Sequence, residues 1–228
     1  MAILDDGIDS ILADRFAVVV DVRSRKQRGG SRTALRDSKN ALCHGSLCTL
    51  ILLSICPKAE LYMVRVLSDA MIGNLTDILE GIEWVYQNRV DVALLAFGTT
   101  DAVPGPELSV ACELAKQRGV ILIAAGYPTT SNLPASYPSV VGVSTACFAE
   151  SHTSSQNSTA IDVYCDGHYP QEICHLLKRG ELECASFAAA RFAGIVAELK
   201  RINQGLMNED LLDKAREQVR SERRTKEN

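Results

Sequence analysis

Residues 183–199 read ECASFAAARFAGIVAEL, and this stretch predicts the helix around which the rest of the chain is organised. Small residues recur along it: Ala188, Ala189, Ala190, Ala193, Gly194 and Ala197. Because such a helix carries little side-chain bulk, it can pack closely on more than one face, as a central helix must. Ser186 lies at its amino end, where unpaired N–H groups and the helix dipole favour an anion. Taken alone, Ser186 is either an N-cap residue or a nucleophile for acyl transfer.

On both sides of this helix, apolar runs typical of strands alternate with runs of helical spacing. The predicted strands are 1–4, 16–22, 60–67, 92–97, 120–125, 140–146 and 161–164. The other predicted helices are 47–56, 74–89, 108–118 and 208–222, and the segments 24–40 and 166–182 are predicted as a surface loop and as a loop or hairpin. This alternation indicates an α/β fold of three layers, with a mostly parallel central sheet and helices on both faces. We expect a single domain over 1–228, with a charged C-terminal helix and tail from about 208 to 228.

Composition excludes several classes of protein. The chain has 228 residues, is 46% hydrophobic and carries a formal net charge of −4, and its basic runs lack interleaved aromatic residues, so nucleic-acid binding is not expected. It has no apolar run of membrane-spanning length and no signal-peptide pattern. Its eight cysteines contain no C-x-x-C pair. We therefore expect a cytoplasmic protein without metal, cofactor or membrane partner, and the sequence leaves its oligomeric state open.

Three residues far apart in the sequence carry side chains suited to acyl transfer. Asp5 follows a strand, His44 begins a helix and Ser186 begins another. The chain order Asp, His, Ser is one of the three known orders of a catalytic triad. Singly, each residue has a structural explanation, as a strand-end acid, a helix-start residue or a cap.

The segments around these residues resemble those of the subtilisin-like serine peptidases, the subtilases. MAILDDGID (1–9) is similar to the family's V-A-V-L-D-[TS]-G-I-D, and HGSLCTLIL (44–52) to H-G-T-H-V-A-G. CASFAAARFAGIVAEL (184–199) is similar to G-T-S-M-A-A-P-H-V-A-G-x-x-A-L, and the runs GVILIAAG (119–126) and LPASYPSVVGVSTA (133–146) also follow the family. The resemblance covers residues 1 to about 200, in order.

This resemblance implies a serine endopeptidase that acts on a peptide or protein substrate. Asp5 would orient the imidazole, His44 would act as general base and then acid, and Ser186 would attack the scissile carbonyl. Ala96, Phe97 and Gly98 would form the strand edge against which an extended peptide pairs, and Ala124, Ala125 and Gly126 would form the opposing wall.

The chain departs from the family at the oxyanion hole, the set of donors that binds the anionic intermediate. Tyr127 stands in place of the family's Asn, and Ala185 in place of the Thr before the nucleophile. Loss of one such donor costs about 10²- to 10³-fold in turnover. The Tyr127 hydroxyl, Asn132 from a nearby flexible loop, or a substrate or partner can supply a donor instead. We therefore predict a slow or highly selective peptidase, and the alternative is an inactive pseudopeptidase that binds extended peptides.

A different class of protein also fits the first acidic pair. Asp5 and Asp6 after a strand are typical of the magnesium and phosphoacceptor pocket of a phosphorelay receiver. A receiver needs a further Asp at the end of a central strand, and the strand 92–97 instead ends in Phe97-Gly98. This disfavours the receiver.

Overall fold

The computed structural model describes residues 1–23, 35–36, 42–100, 105–127, 132–145, 161–170, 174 and 183–227. Most of the predicted loop 24–40 lies outside these residues, and so does most of the segment 166–182, which is predicted as a loop or hairpin.

A seven-stranded sheet runs through the middle of the protein, and every neighbouring pair in it is parallel. Its strands in chain order are β1 (Ala2–Asp5), β3 (Phe16–Asp21), β5 (Leu61–Arg65), β6 (Val92–Leu95), β7 (Ile121–Ala125), β8 (Val140–Thr145) and β9 (Val163–Cys165). Their order across the sheet is β3-β5-β1-β6-β7-β8-β9. The short strands β2 (Ile8–Asp9) and β4 (Leu35–Arg36) form a separate parallel pair. In a parallel sheet the carboxyl ends of the strands share one edge, so the residues after β1, β6 and β7 lie side by side there.

Helices cover both faces of the sheet. They are α1 (His44–Ile55), α2 (Leu75–Gln87), α3 (Gly105–Gln117), α4 (Ala185–Ile202) and α5 (Asn208–Glu227). One buried cluster joins the sheet to α1, α4 and α5, and a second joins it to α2 and α3. Within β1 the side chains alternate, with Ile3 in the first cluster and Ala2 and Leu4 in the second. The predicted three-layer α/β fold with a mostly parallel sheet is confirmed.

Helix α4 is the central helix that its composition predicts. Ala188, Ala189, Ala190 and Ala193 are fully buried. An ideal Cβ built on Gly194 would lie 3.2 Å from the Leu52 carbonyl oxygen of α1, so the two helices approach closely at this point. Tight packing of α4 between α1 and the sheet fixes the position of its first turn, which carries Ser186.

The structure corrects several element boundaries. Helix α3 begins at Gly105 rather than 108, because Pro106 occupies its first turn, where proline has no hydrogen bond to lose. Helix α5 runs to Glu227 rather than 222. Residues 8–9 and 10–15 were not predicted to form elements, but they form β2 and a 3-10 helix (Ser10–Arg15). Elements this short leave no periodic pattern in the sequence.

In the part of the chain that the structure describes, no helix combines the length and the apolar character needed to cross a membrane. The seven described cysteines are free thiols, and of these only Cys184 is not buried.

Candidate active site

Asp5 and His44 form a hydrogen-bonded pair at the carboxyl edge of the sheet. Asp5 is the last residue of β1 and is fully buried, and His44 is the first residue of α1. The His44 Nδ1 atom lies 2.8 Å from Asp5 Oδ2 and 3.1 Å from Asp5 Oδ1. Because a carboxylate accepts hydrogen bonds, this contact places a proton on Nδ1 and leaves Nε2 to exchange a proton with another group.

Two further carboxylates hold the start of α1 against the segment that follows β1. Asp6 Oδ1 accepts a hydrogen bond from the Gly45 N–H at 2.9 Å, and Asp9 Oδ2 accepts one from the Cys43 N–H at 2.7 Å. The Asp9 N–H in turn donates to Ser46 Oγ at 2.8 Å. Acidic groups at a helix amino end are favourable because they meet its unpaired N–H groups and its dipole. These contacts place His44 beside Asp5.

Sequence reasoning missed this anchoring role. It considered Asp6 only as part of the acidic pair of a receiver and gave Asp9 no role. The signal was present as acids on both sides of the Gly7 turn, but their partners lie 34 to 39 residues further along the chain.

Burial and nearby groups act on the imidazole in opposite directions. Burial lowers the pKa of His44, but interactions with Cys48 and with Asp5 outweigh it, so the pKa is raised above its ordinary value. The Cys48 sulfur lies 3.9 Å from Nδ1 and 4.0 Å from Nε2. Burial raises the pKa of this thiol to about 11, so it is protonated near neutral pH. At neutral pH the Asp5 carboxylate therefore sustains the raised pKa of His44.

Ser186 lies in the first turn of α4, and it is not the N-cap. Cys184 is the N-cap residue, and its carbonyl oxygen accepts the N–H groups of Phe187 and Ala188 at 3.2 Å each. The Ser186 hydroxyl donates to the Ala96 carbonyl oxygen at 3.4 Å. Within the described residues, no hydrogen bond joins Ser186 to His44. The structure thus joins Asp5 to His44, and Ser186 to the strand edge, as two separate pairs.

The first turn of α4 nevertheless contacts the imidazole. The Phe187 ring stacks on the His44 ring, with centroids 6.0 Å apart and an interplanar angle of 19°. Ser186 is the residue before Phe187 in this turn.

The predicted substrate walls follow two neighbouring strands. Ala96-Phe97-Gly98 continues β6, and Ala124-Ala125-Gly126 contains the end of β7. In the first wall, Ala96 is buried and Phe97 is only partly buried. In the second wall, Ala124 and Ala125 are buried. The Ala96 carbonyl oxygen, which contacts Ser186, places the nucleophile candidate at the first of these walls.

The two residues proposed as replacement oxyanion donors differ in their exposure to solvent. Tyr127 is 45% exposed, whereas Asn132 is only 4% exposed. The Asn132 N–H donates to Ser136 Oγ at 3.1 Å, and its carbonyl oxygen accepts the Ser136 N–H at 2.9 Å. Asn132 is therefore held at both backbone groups, unlike the flexible position expected from the sequence.

One set of donors at this edge has the composition of a metal site. Asp5, His44 and Cys48 place one potential ligand atom each within 4.8 Å of one another. Carboxylate, imidazole and thiolate groups are ligands that Zn²⁺ prefers. An ion there would have to break the Asp5–His44 hydrogen bond, so metal binding and use of His44 as a base exclude each other.

Proteases are among the known proteins similar to this chain. Over 152 residues it is 32% identical to the minor extracellular protease Epr of Bacillus subtilis strain 168, an alignment that covers 63% of this chain and 23% of that protein. Over 160 residues it is 29% identical to subtilisin Savinase of Lederbergia lenta, covering 68% of this chain and 59% of the other. The chain thus spans less than two thirds of the length of either relative.

Two further findings concern the fold and the family. The crystal structure of a cold-adapted subtilisin-like serine proteinase superposes with a TM-score of 0.66 at 21% sequence identity, covering 93% of this chain and 78% of the other. The family model described as the subtilase family matches residues 1–222, and the protein therefore belongs to the subtilase family.

Proposed function

We propose that this protein is a serine endopeptidase of subtilisin type that cleaves a peptide bond through Asp5, His44 and Ser186. The observation that carries the proposal is the buried Asp5 carboxylate 2.8 Å from His44 Nδ1, beside the helix turn that bears Ser186. A base oriented in this way by a carboxylate is what activation of a serine hydroxyl requires.

The proposed reaction has two halves, acylation of Ser186 and hydrolysis of the acyl-enzyme, and the same three residues act in both. With its hydroxyl turned to His44 Nε2, Ser186 attacks the scissile carbonyl carbon while the imidazole takes the hydroxyl proton, and Asp5 stabilises the imidazolium. His44 then gives this proton to the leaving amine as the C–N bond breaks. In the second half, water attacks the acyl carbon while His44 takes one of its protons. His44 then returns this proton to Ser186 Oγ as the ester C–O bond breaks and the acid is released.

Stabilisation of the oxyanion is the weak part of this site. The Ser186 N–H, in the first turn of α4, is one donor that has no intrahelical partner. The position of the family's Asn is Tyr127, and Ala185 has no donor on its side chain. We propose that turnover is slow or restricted to selected substrates for this reason.

A serine-reactive fluorophosphonate probe, followed by mass spectrometry of the labelled peptide, tests the nucleophile. We expect labelling at Ser186 in the wild type and none in Ser186→Ala. Tyr127→Asn should raise kcat on cleaved peptides by up to about 10²-fold, since it restores an amide donor. Tyr127→Phe is the matched control, because it keeps the ring and removes only the hydroxyl. A fall in kcat in Tyr127→Phe would identify the phenol as the donor.

The alternative is a pseudopeptidase that binds extended peptides at Ala96-Phe97-Gly98 without cutting them. The hydrogen bond from Ser186 to the Ala96 carbonyl oxygen, rather than to His44, favours it. Catalytic hydrogen bonds are often incomplete before substrate binds, so we rank the peptidase first. Absence of labelling and of cleavage in both the wild type and Tyr127→Asn, with peptide binding retained, would establish the alternative.

We also propose that the protein acts in the cytoplasm on a particular partner peptide rather than in bulk digestion. The cysteine usage and weakened oxyanion hole support this proposal. Cell fractionation, with the substrate captured by the Ser186→Ala variant, would test it.

A further inference from the structure

A short segment that follows β9, residues 166–168, pairs with the residues that lead into α4. His168 and Glu183 form an antiparallel bridge, and the Cys184 N–H donates to the Gly167 carbonyl oxygen at 3.2 Å. Cys184 is the N-cap of α4. The segment 166–168 therefore contacts the residue at which the helix of the nucleophile candidate begins.

Two further contacts hold the segment 166–168 against α4. An ideal Cβ built on Gly167 would lie 2.8 Å from the Cys184 carbonyl oxygen, so the two backbones approach closely. From the body of α4, Arg191 Nε donates to the Asp166 carbonyl oxygen at 3.1 Å, and Arg191 Nη2 donates to the His168 carbonyl oxygen at 3.4 Å. The segment is thus attached both to the start of the helix and to its side.

The imidazole of His168 lies between two carboxylates, one on each of the paired segments. Its Nδ1 atom lies 2.9 Å from Asp166 Oδ1, and its Nε2 atom lies 3.6 Å from Glu183 Oε2. The first contact is a hydrogen bond, and the second is an ion-pair contact that is longer than a hydrogen bond. A neutral imidazole carries one N–H group, whereas a protonated imidazole carries two. Only the protonated ring therefore presents an N–H group to each carboxylate.

The charge of this imidazole is open to change by solvent. The His168 side chain is 57% exposed, and histidine is the side chain whose charge changes near neutral pH. Two more charged groups lie close by, on α4 and α5. Burial raises the pKa of the neighbouring Cys165 thiol to about 12, and among the smaller effects Arg191 of α4 lowers it while Glu222 of α5 raises it. The thiol itself is therefore neutral when the imidazole gains or loses its proton.

We propose that His168 is a positioning residue for acylation, which in its protonated form joins Asp166 to Glu183 and so holds the first turn of α4 in place. This inference rests on the proposed peptidase function. Glu183 directly precedes the N-cap Cys184, and Ser186 lies two residues beyond that N-cap. Small displacements of reacting groups lower rates strongly, so the form with neutral His168 acylates more slowly.

The pH dependence of Ser186 labelling by the fluorophosphonate probe tests the inference. The rate constant of labelling is measured from about pH 5 to about pH 9 in the wild type and in His168→Gln, whose side chain is polar but never charged. Because His44 titrates in both proteins, its effect cancels in the ratio of the two rate constants. We expect the wild type to react about two- to fivefold faster at the acidic end and at the same rate at the alkaline end.

Glu183→Gln is the matched variant, because it removes only the charge of the second carboxylate and keeps the backbone pairing. The ratio of the wild-type rate constant to that of Glu183→Gln should change with pH in the same way. The double variant His168→Gln/Glu183→Gln should react no more slowly than either single variant, since both remove one interaction. Thermal unfolding at each pH verifies that the variants are folded. A ratio that stays constant across the pH range overturns the inference, because a side chain that only stabilises the fold affects all pH values alike.

Hydrogen exchange separates failure of this inference from failure of the proposed peptidase. The N–H groups of Phe187 and Ala188 donate to the Cys184 carbonyl oxygen, so their exchange rates report how firmly the first turn of α4 is held. Wild type and His168→Gln are compared at the same pH, which removes the intrinsic effect of pH on exchange. If Ser186 is not labelled at any pH, but these N–H groups exchange more slowly in the wild type at acidic pH only, the peptidase fails and the positioning role of His168 stands. Equal exchange in the two proteins at every pH overturns the positioning role, whether or not Ser186 is labelled.

Discussion

Replacement of Gly45 by alanine should be among the most damaging small substitutions in this protein. Gly45 follows His44 in the first turn of α1, and an ideal Cβ there would lie 2.2 Å from the Gly7 carbonyl oxygen. Carbon and oxygen atoms normally approach to about 3.3–3.6 Å, so the two segments must separate by about 1 Å. The obstructing atom belongs to the backbone and cannot rotate away.

The expected cost follows from two contributions. Overpacking of a close contact costs about 1–3 kcal/mol. Separation of α1 from the Gly7 turn also strains the hydrogen bond from the Gly45 N–H to Asp6, which is worth about 1.5–3 kcal/mol because the acceptor is charged. Together, these reduce the free energy of unfolding by about 3–5 kcal/mol. At about 2–4 °C per kcal/mol for a chain of this length, Tm should fall by about 6–20 °C.

Calorimetry of Gly45→Ala beside Gly205→Ala provides the measurement and its matched control. Among the described residues, no heavy atom lies within 4 Å of an ideal Cβ on Gly205. The same substitution there should therefore change stability by less than about 0.5 kcal/mol. Fluorophosphonate labelling of Gly45→Ala, measured below its Tm, should also be slower than in the wild type, because α1 carries His44 away from Asp5. Wild-type Tm in Gly45→Ala would refute the close approach on which this reasoning depends.

Other substitutions and reagents test separate parts of the site. Asp5→Asn removes the charge that sustains the raised pKa of His44. Because the base acts only when neutral, the acidic limb of the kcat/KM profile should shift to lower pH, while kcat falls on the order of 10⁴-fold. An acidic limb that does not shift would contradict this role of Asp5. Asp6→Ala should lower the free energy of unfolding by about 1.5–3 kcal/mol, and Asp6→Ser should lower it less, because the serine hydroxyl can also accept the hydrogen bond from the Gly45 N–H. Chemical denaturation measures both free energies. Equal stability of the two variants would argue that the Gly45 N–H does not need this acceptor. Burial raises the pKa of the Cys112 thiol to about 12, so iodoacetamide at pH 8 should modify it only after unfolding, and rapid labelling of the native protein would show that it is accessible.

The layers of the fold were predictable because they depend on patterns repeated along the chain. Strands such as 120–125 are continuous apolar runs, as strands buried on both faces require, and α2 repeats apolar residues at helical spacing. The small residues of α4 indicated a helix packed on more than one face, and the structure buries it against α1 and the sheet. Each of these properties belongs to a window of ten to twenty residues, so the sequence alone contains the information.

The contacts that position the site were not predictable in the same way. Asp6 and Asp9 each bind a backbone N–H more than thirty residues away, and no local pattern states which N–H an acid will meet. Similarly, that Asn132 lies on Gly98 depends on the pairing of Leu133 with Thr99, which is a tertiary property. The resemblance to subtilases indicated the neighbourhoods of Asp5, His44 and Ser186, but the hydrogen bond of Ser186 to Ala96 was not foreseen, and the triad stays a prediction.

Two departures from the family, Tyr127 and Ala185, fall on one half of the proposed mechanism. The half that would move protons, Asp5 and His44, has its hydrogen bond in place. The half that would stabilise the oxyanion carries Tyr127 and Ala185 at the positions where the family has Asn and Thr. These halves act on different quantities, since proton transfer sets the pH dependence and oxyanion binding sets the height of the barrier. A deficit confined to the second half would lower kcat without moving the acidic limb, so Tyr127→Asn should raise the whole pH profile and leave its midpoint unchanged. A shifted midpoint would instead place the defect at His44.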